Sequence, residues 1–327
     1  MLNVRPLGAE DAGLLEELIA SFPFKPYRYY RVYSRKAQID IMRAEILPAL
    51  TTPRRLTFHA RDGDHNAMVI ARALPWDSDF FRVRMARFDY IAASPGAPPG
   101  VVQAALDAAL QACDAASIPH LTARVDVEDI PTVDLLQRRG FRLMDALVTY
   151  RTRPHKEPPL PGREVGVIRE FAPDDADAVY DITQEAFRHY VGRFQHDPHV
   201  PVDRAKAFYL EWAKKGLSGD MADKVFVAVN SEAKPIGYLF FRRREPASTA
   251  GGVAIHGGGL GACRPDAPGA YAALIRHAAL WSHAQGAVAE CQTQNYNFPV
   301  IRVYEAAGFH YVRAEYTLHA WRGADTP

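Results

Sequence analysis

The sequence predicts two tandem α/β domains, and three observations carry that prediction. The two halves open alike: Val4-Arg5 and Ile168-Arg169 each lead into an acidic turn, with Asp11-Ala12 and Asp175-Ala176 at the same offset. They also close alike, Gly140-Phe141 and Gly308-Phe309 each ending a helix before what reads as a final hairpin-like pair of strands. Between them, residues 153–163 are rich in proline, which neither continues a helix nor sits in a central strand. Self-similarity at half the chain length marks a duplication. The expected layout is a domain at 1–152, a linker at 153–163, a second domain at 164–322 and a flexible tail at 323–327.

Composition agrees and narrows the function. A length of 327 residues, 48% hydrophobic and 24% charged, suits two globular domains with real cores. With 39 basic and 38 acidic residues the net charge is +1, which leaves no electrostatic footprint for nucleic acid. No apolar run is long enough to span a membrane, and the first residues lack a signal-peptide pattern, so a cytoplasmic protein is expected. The three cysteines, Cys113, Cys263 and Cys291, lie on apolar periodic segments without metal-ligand spacing. They read as reduced core residues, and no metal is expected.

Each element follows from local pattern. In the first half, Leu14, Leu15, Leu18 and Ile19 repeat with helical period. The loop from Pro23 to Arg31 is dense in aromatics and arginines, suited to stacking on a ring or to packing on its own domain. A strand is expected from Met68 to Leu74, then a tight turn burying Trp76, Phe80 and Phe81. Next come a strand at 86–93, a helix at 101–117, a strand at 121–127, a helix at 129–139 and strands at 141–152. In the second half, Val179, Ile182 and Phe187 mark the first helix, and a second is expected at 203–215. Lys224–Val229 and Pro235–Arg242 alternate as a hairpin, and Arg242-Arg243-Arg244 reads as a solvated strand end. Residues 255–265 then place four glycines in what should be a central strand, a pattern that suggests a bulge or a close backbone approach to a ligand.

Residues 293–309 read as a strand end, a polar turn, a helix of about three turns and a stop. Gly308 stands where a helix wants positive φ, and Asn297 with Pro299 makes an N-cap. Tyr304 follows Asn297 by about two turns, so both can face one side. On spacing alone, Tyr304 as a half-buried packing residue is the simpler account.

Asn297…Val303-Tyr304…Gly308-Phe309 resembles the Asn-x-x-Ala-x-x-Leu-Tyr-x-x-x-Gly-Phe signature of GCN5-related (GNAT) N-acetyltransferases, with Val300 and Val303 in place of Ala and Leu. Leu74-Pro75-Trp76-Asp77-Ser78-Asp79-Phe80-Phe81 and Arg193-Phe194…Asp197-Pro198 with Phe208-Tyr209…Trp212 further resemble the dTDP-fucosamine acetyltransferase family within that superfamily. The resemblance implies two tandem GNAT domains, each a mixed sheet flanked by helices. It implies acetyl transfer from acetyl-coenzyme A to a primary amine of a small molecule, such as a dTDP-linked amino sugar. Tyr304 would protonate the departing thiolate, and the backbone of Gly261 and Ala262 would polarise the thioester carbonyl. Leu260, Cys263, Gly269, Ala270, Tyr271, Asn295 and Asn297 would hold the coenzyme, and Arg193, Phe194, His189 and Glu290 would border the acceptor. Glu290, His256 and His189 are the candidates for a general base, beside a water chain, and a homodimer is a further expectation.

The family pattern is broken in two places. In the first half, Leu136 stands at the position of Tyr304 and Asp129 at that of Asn297, so residues 1–152 are expected to be non-catalytic. In the second, the expected pyrophosphate loop reads Asp266-Ala267-Pro268-Gly269-Ala270-Tyr271. There Asp266 would repel phosphate and Tyr271 would crowd it, so Arg264, Arg276 and His277 would have to help. Two alternatives therefore stand beside the amino sugar: another small amine such as an antibiotic, and a silent acyl-coenzyme A-binding or scaffold protein.

Overall fold

The computed structural model describes residues 1–51, 56–152 and 166–323. Its elements, in chain order, are β1 (Asn3–Pro6), α1 (Ala12–Ser21), α2 (Arg35–Leu50), β2 (Phe58–Asp62), β3 (His65–Ala73) and α3 (Pro75–Phe81). There follow β4 (Met85–Ala93), α4 (Pro99–Ala115), β5 (His120–Asp126), α5 (Ile130–Gln137) and β6 (Arg142–Arg151). The second half holds β7 (Val167–Glu170), α6 (Ala176–Ala186), α7 (Arg193–His196), α8 (Val202–Leu217), β8 (Lys224–Val229) and β9 (Pro235–Arg243). It ends with α9 (Ala247–Ala250), β10 (Ile255–Cys263), α10 (Ala270–Ala284), β11 (Val288–Gln294), α11 (Phe298–Ala306) and β12 (His310–Trp321).

These form two compact units, which divide at Asp145/Ala146 and again at Ala314/Glu315. The expected linker, 153–163, lies outside the described residues, as does most of the expected tail. Neither half closes with a hairpin. Each closes with one unbroken strand, because neither 142–151 nor 310–321 contains a Gly, Pro or Asn to turn the chain. The later part of each strand completes the other half's sheet. In the first unit β12 pairs antiparallel with β5, from Glu315–Asp126 to Trp321–His120. In the second, β6 pairs antiparallel with β11, from Leu147–Gln294 to Arg151–Glu290.

The first unit's sheet runs β1-β2-β3-β4-β5-β12, antiparallel except for the β4–β5 pair. Strand β3 is buried on both faces: Val69 and Ala71 meet α4, while Met68 and Ile70 meet α1 and α2. The second unit's sheet runs β6-β11-β10-β9-β8-β7, with β10–β11 its parallel pair. Thr183 of α6 bonds the Tyr238 hydroxyl at 2.7 Å on one face. On the other face His277 and Trp281 of α10 pack on Phe226. Both units are thus mixed sheets with helices on two faces.

The duplication survives as one repeated device. Arg5 reaches Asp11, and Arg169 reaches Asp175 through two bonds of 2.6 and 2.8 Å. In both, the carboxylate also accepts the backbone N–H three residues earlier, Gly8 at 2.9 Å and Ala172 at 2.8 Å. A single 3-10 turn before the first helix is fastened the same way twice. Two smaller expectations need correction. Residues 75–81 are a short helix rather than a turn, and only Phe81 is buried while Trp76 and Phe80 stay half-exposed. The aromatic loop packs on its own unit: Tyr27 and Tyr30 are buried, and Arg28 lies over Phe24 and Tyr29.

The Arg169 bond, helped by the Ala172 amide and opposed by burial, holds the Asp175 carboxyl below its ordinary value. A lowered carboxyl stabilises the fold above the unfolded value of about 4, and that stability is lost as pH falls through the lowered one. Asp175→Asn should therefore cost about 1 kcal/mol in urea unfolding at pH 7, and the cost should shrink below about pH 4.

Candidate active site

The candidate site lies in the second unit, where two parallel strands stop pairing. Strands β10 and β11 pair from Ile255–Val288 to Gly257–Glu290 and no further. Beyond that point β10 bonds only β9, with one extra residue between Gly258 and Gly261. That is the bulge the glycine run suggested. Each of these glycines has a close neighbour. A Cβ on Gly258 would stand 2.9 Å from the Cys291 sulfur, and one on Gly261 would stand 2.7 Å from Leu239 Cδ1 and 3.2 Å from the Tyr238 carbonyl. A Cβ on Gly257 would strike the Arg244 guanidinium at 2.0 Å. The close approach is thus made in part by the protein itself.

Helix α11 brings Tyr304 to the open side of β11. Its stop is as expected, with Gly308 at φ 80°. Asn297 holds the N-cap position but does not cap; its amide instead donates to Thr293 Oγ1 at 2.9 Å, tying the helix start to β11. Tyr304 is 3% exposed. Its hydroxyl lies 3.3 Å from the Gln292 carbonyl and 3.4 Å from the Tyr271 hydroxyl, both longer than the usual O–H···O distance. Burial first, then the neighbouring Tyr271 and Cys291, raises its pKa well above that of an ordinary phenol. The hydroxyl therefore remains protonated throughout the neutral range.

Tyr271 corrects an expectation. Its ring turns away from the mouth of α10. It sits on the inward stripe of that helix with Leu274, Ile275 and Ala278, so the helical period turns its ring toward the sheet. One ring carbon comes 3.2 Å from the Cβ position of Gly261. The ring thus bridges the bulge of β10 and the hydroxyl of Tyr304.

The remaining predicted residues divide. Gly261, Ala262, Leu260 and Cys263 share the bulged end of β10, Leu260 and Ala262 buried and Cys263 against Gly237. Burial pushes the Cys263 thiol up to about 12. Gly269, at φ 93°, and buried Ala270 open α10, whose first-turn amides have no intrahelical acceptor. Asp266 is exposed beside them, and Arg264 faces Glu185 at 3.6 Å. His277 does not reach this end, because it packs on Phe226. Asn295 is exposed, its N–H bonded to the Ala146 carbonyl at 2.8 Å. Arg193 lies flat over the buried Phe194 ring at 4.4 Å, and His189 is exposed.

Two base candidates stand at the closed end of the strands. His256 is buried between Ser282 and Trp281, roughly 16 Å of strand from Gly261. Glu290 is buried and faces Arg244 at 3.9 Å, so Arg244 is more than the solvated strand end expected. The Phe208-Tyr209…Trp212 segment singled out in the sequence joins an aromatic wall whose other members, Phe187 and Tyr190, carried no such signal. Phe187 stacks on Tyr209 at 4.3 Å, and Tyr190 packs edge-on against both while its hydroxyl bonds Gln294 of β11. The close spacing of aromatics in 187–212 was the only sign in the sequence that Phe187 and Tyr190 belong to it.

The first unit shows the same parting with different side chains around it. Strands β4 and β5 pair only from Met85–His120 to Phe88–Ala123, and β4 bulges opposite Ile70 and Ala71. Asp89 at that bulge is bonded by Arg72 at 2.9 Å and Arg87 at 2.5 Å. Arg28 binds Asp126, at the end of β5, at 2.5 and 3.0 Å. Leu136, fully buried, fills the place of Tyr304, and Asp129 caps α5 through the Thr132 N–H.

Comparisons with known proteins fit this geometry. No protein-family profile matches the chain. A stretch of 206 residues is 27% identical to the spore coat polysaccharide biosynthesis protein SpsD of Bacillus subtilis (strain 168). It covers 62% of this chain and 66% of that protein, just under two thirds of the relative's length. Among solved structures, a GCN5-related N-acetyltransferase from Sphaerobacter thermophilus superposes with a TM-score of 0.62 at 14% identity, over 99% of this chain and 97% of its own. A tandem GNAT protein from the clavulanic acid biosynthesis pathway superposes with a TM-score of 0.53 at 14% identity, over 99% and 100%. The fold is that of a tandem GCN5-related N-acetyltransferase.

Gly258→Ala should lower unfolding stability by about 1–3 kcal/mol, since neither the Cys291 sulfur nor the strand can yield easily. Gly100→Ala, in open space at the start of α4, should be neutral or slightly stabilising. Equal effects in chemical denaturation would show that the bulge is not tightly packed.

Proposed function

We propose that the second unit transfers an acetyl group from acetyl-coenzyme A to a primary amine on a small molecule, a nucleotide-linked amino sugar being the acceptor favoured. The observation that carries this is the buried Tyr304 hydroxyl beside the bulge of two parted parallel strands. The residues present suit the coenzyme's arm at the strand end: β10 has no β11 partner after Gly257, and the N-terminus of α10, where helix amides lack intrahelical acceptors, opens beside it. The sugar is favoured because the relative SpsD is named for polysaccharide biosynthesis. When bound, the coenzyme supplies an activated thioester. The backbone of Gly261 and Ala262 would polarise its carbonyl. Tyr304 keeps a proton ready for the departing sulfur, and Tyr190 with Gln294 borders the acceptor side.

The first unit is proposed to be non-catalytic, because Leu136 offers no proton and Asp89 at its bulge is neutralised by two arginines. One coenzyme per chain follows. A silent, coenzyme-binding protein is the alternative, favoured by the Tyr271 ring lying against Tyr304.

Replacing Tyr304 by Phe keeps the ring and deletes the proton. Turnover with acetyl-coenzyme A and an amine panel should fall by about 10²- to 10⁴-fold, while acetyl-coenzyme A affinity by calorimetry barely changes. Unchanged turnover when chemistry is rate-limiting would refute the acid role. Wild-type binding without turnover on any amine would favour the silent alternative.

A further inference from the structure

Resting on that function, we propose that Tyr271 sets the acyl-chain length the site accepts and confines it to the shortest acyl groups. A carbonyl polarised by the backbone at Gly261 and a sulfur facing Tyr304 must lie between those two groups. The Tyr271 ring spans the same interval, one edge 3.2 Å from the Cβ position of Gly261 and its hydroxyl 3.4 Å from that of Tyr304.

The other boundaries are fixed. Leu239 and the Tyr238 carbonyl press on Gly261 from β9, and the Cys291 sulfur presses on Gly258 from β11. All are strand residues of the central sheet. Tyr271 is held differently, in the first turn of α10 and by one long hydroxyl contact. An acyl group entering this interval has to take volume from the ring, and each further methylene takes more. Packed interiors resist overfilling by even one methylene. Leu239 Cδ1 and the Cys291 sulfur offer apolar contact beside the Tyr238 carbonyl, so the space left by removing the ring would take the methylenes of an alkyl chain.

The test is calorimetric titration of the full-length protein with acetyl-, butyryl- and hexanoyl-coenzyme A, which reads binding rather than turnover. The wild type should bind hexanoyl-coenzyme A at least about ten-fold more weakly than acetyl-coenzyme A. Tyr271→Ala should shift that ratio by about ten-fold or more toward the longer chain, and Tyr271→Phe, which keeps the ring, should not shift it. If Tyr271→Ala fails to fold, Tyr271→Leu keeps an apolar residue on the inward stripe and should shift the ratio in the same direction. An unchanged ratio in the folded, ring-deleted variant overturns the role of Tyr271 and leaves the proposed acyl transfer intact. A wild type that binds all three thioesters equally does the same. A wild type that binds none of them overturns both.

Discussion

Adjacent parallel strands normally satisfy each other's backbone groups along their whole length, and in the second unit they do so for three residue pairs only. From Gly257 onward β10 and β11 part, and the rest of the unit answers that separation. Antiparallel β6 takes over the far side of β11. The bulge between Gly258 and Gly261 re-aims the end of β10, and α11 sets a phenol against the Gln292 carbonyl on the parted strand. A fully zipped pair would leave the end of β10 no unpaired edge toward β11.

The first unit carries the same backbone geometry with other side chains. The same parallel pair opens at the same stage, with a bulge in the same strand. What differs is the set of side chains. Guanidinium–carboxylate pairs stand at the bulge and at the end of β5, and a leucine occupies the phenol's position. The buried Leu136 side chain has no hydroxyl, and the carboxylates at the bulge and the strand end are held by arginines.

Much of this was legible in the sequence, and the reasons are local. Positive φ at Gly140 and Gly308 was readable because few residues other than glycine adopt it cheaply. The twin Arg–Asp fastenings appeared as a repeated spacing before they appeared as bonds. The bulge announced itself because glycine otherwise weakens a central strand. Non-local outcomes were not legible. Nothing near Arg142 or His310 says that each closing strand will serve the other half's sheet. Asn297 has the composition of a cap, yet Thr293 takes its amide. The loop motif places Tyr271 at the helix mouth, whereas the stripe it shares with Leu274 and Ile275 turns its ring toward the sheet.

The division of the closing strands also bears on how such a chain comes off the ribosome. Domains of tandem proteins ordinarily collapse one after another as they emerge. Here strand β5, made early, finds its outer partner only when residues 315–321 at the far end have been synthesised. The first unit must therefore persist with residues 120–126 as an open edge while the whole second half is made. Open strand edges template pairing with other chains. An early-finished but unsealed sheet is the point at which a cell's chaperones would have most to do, and closing it is an encounter with high loop-closure entropy.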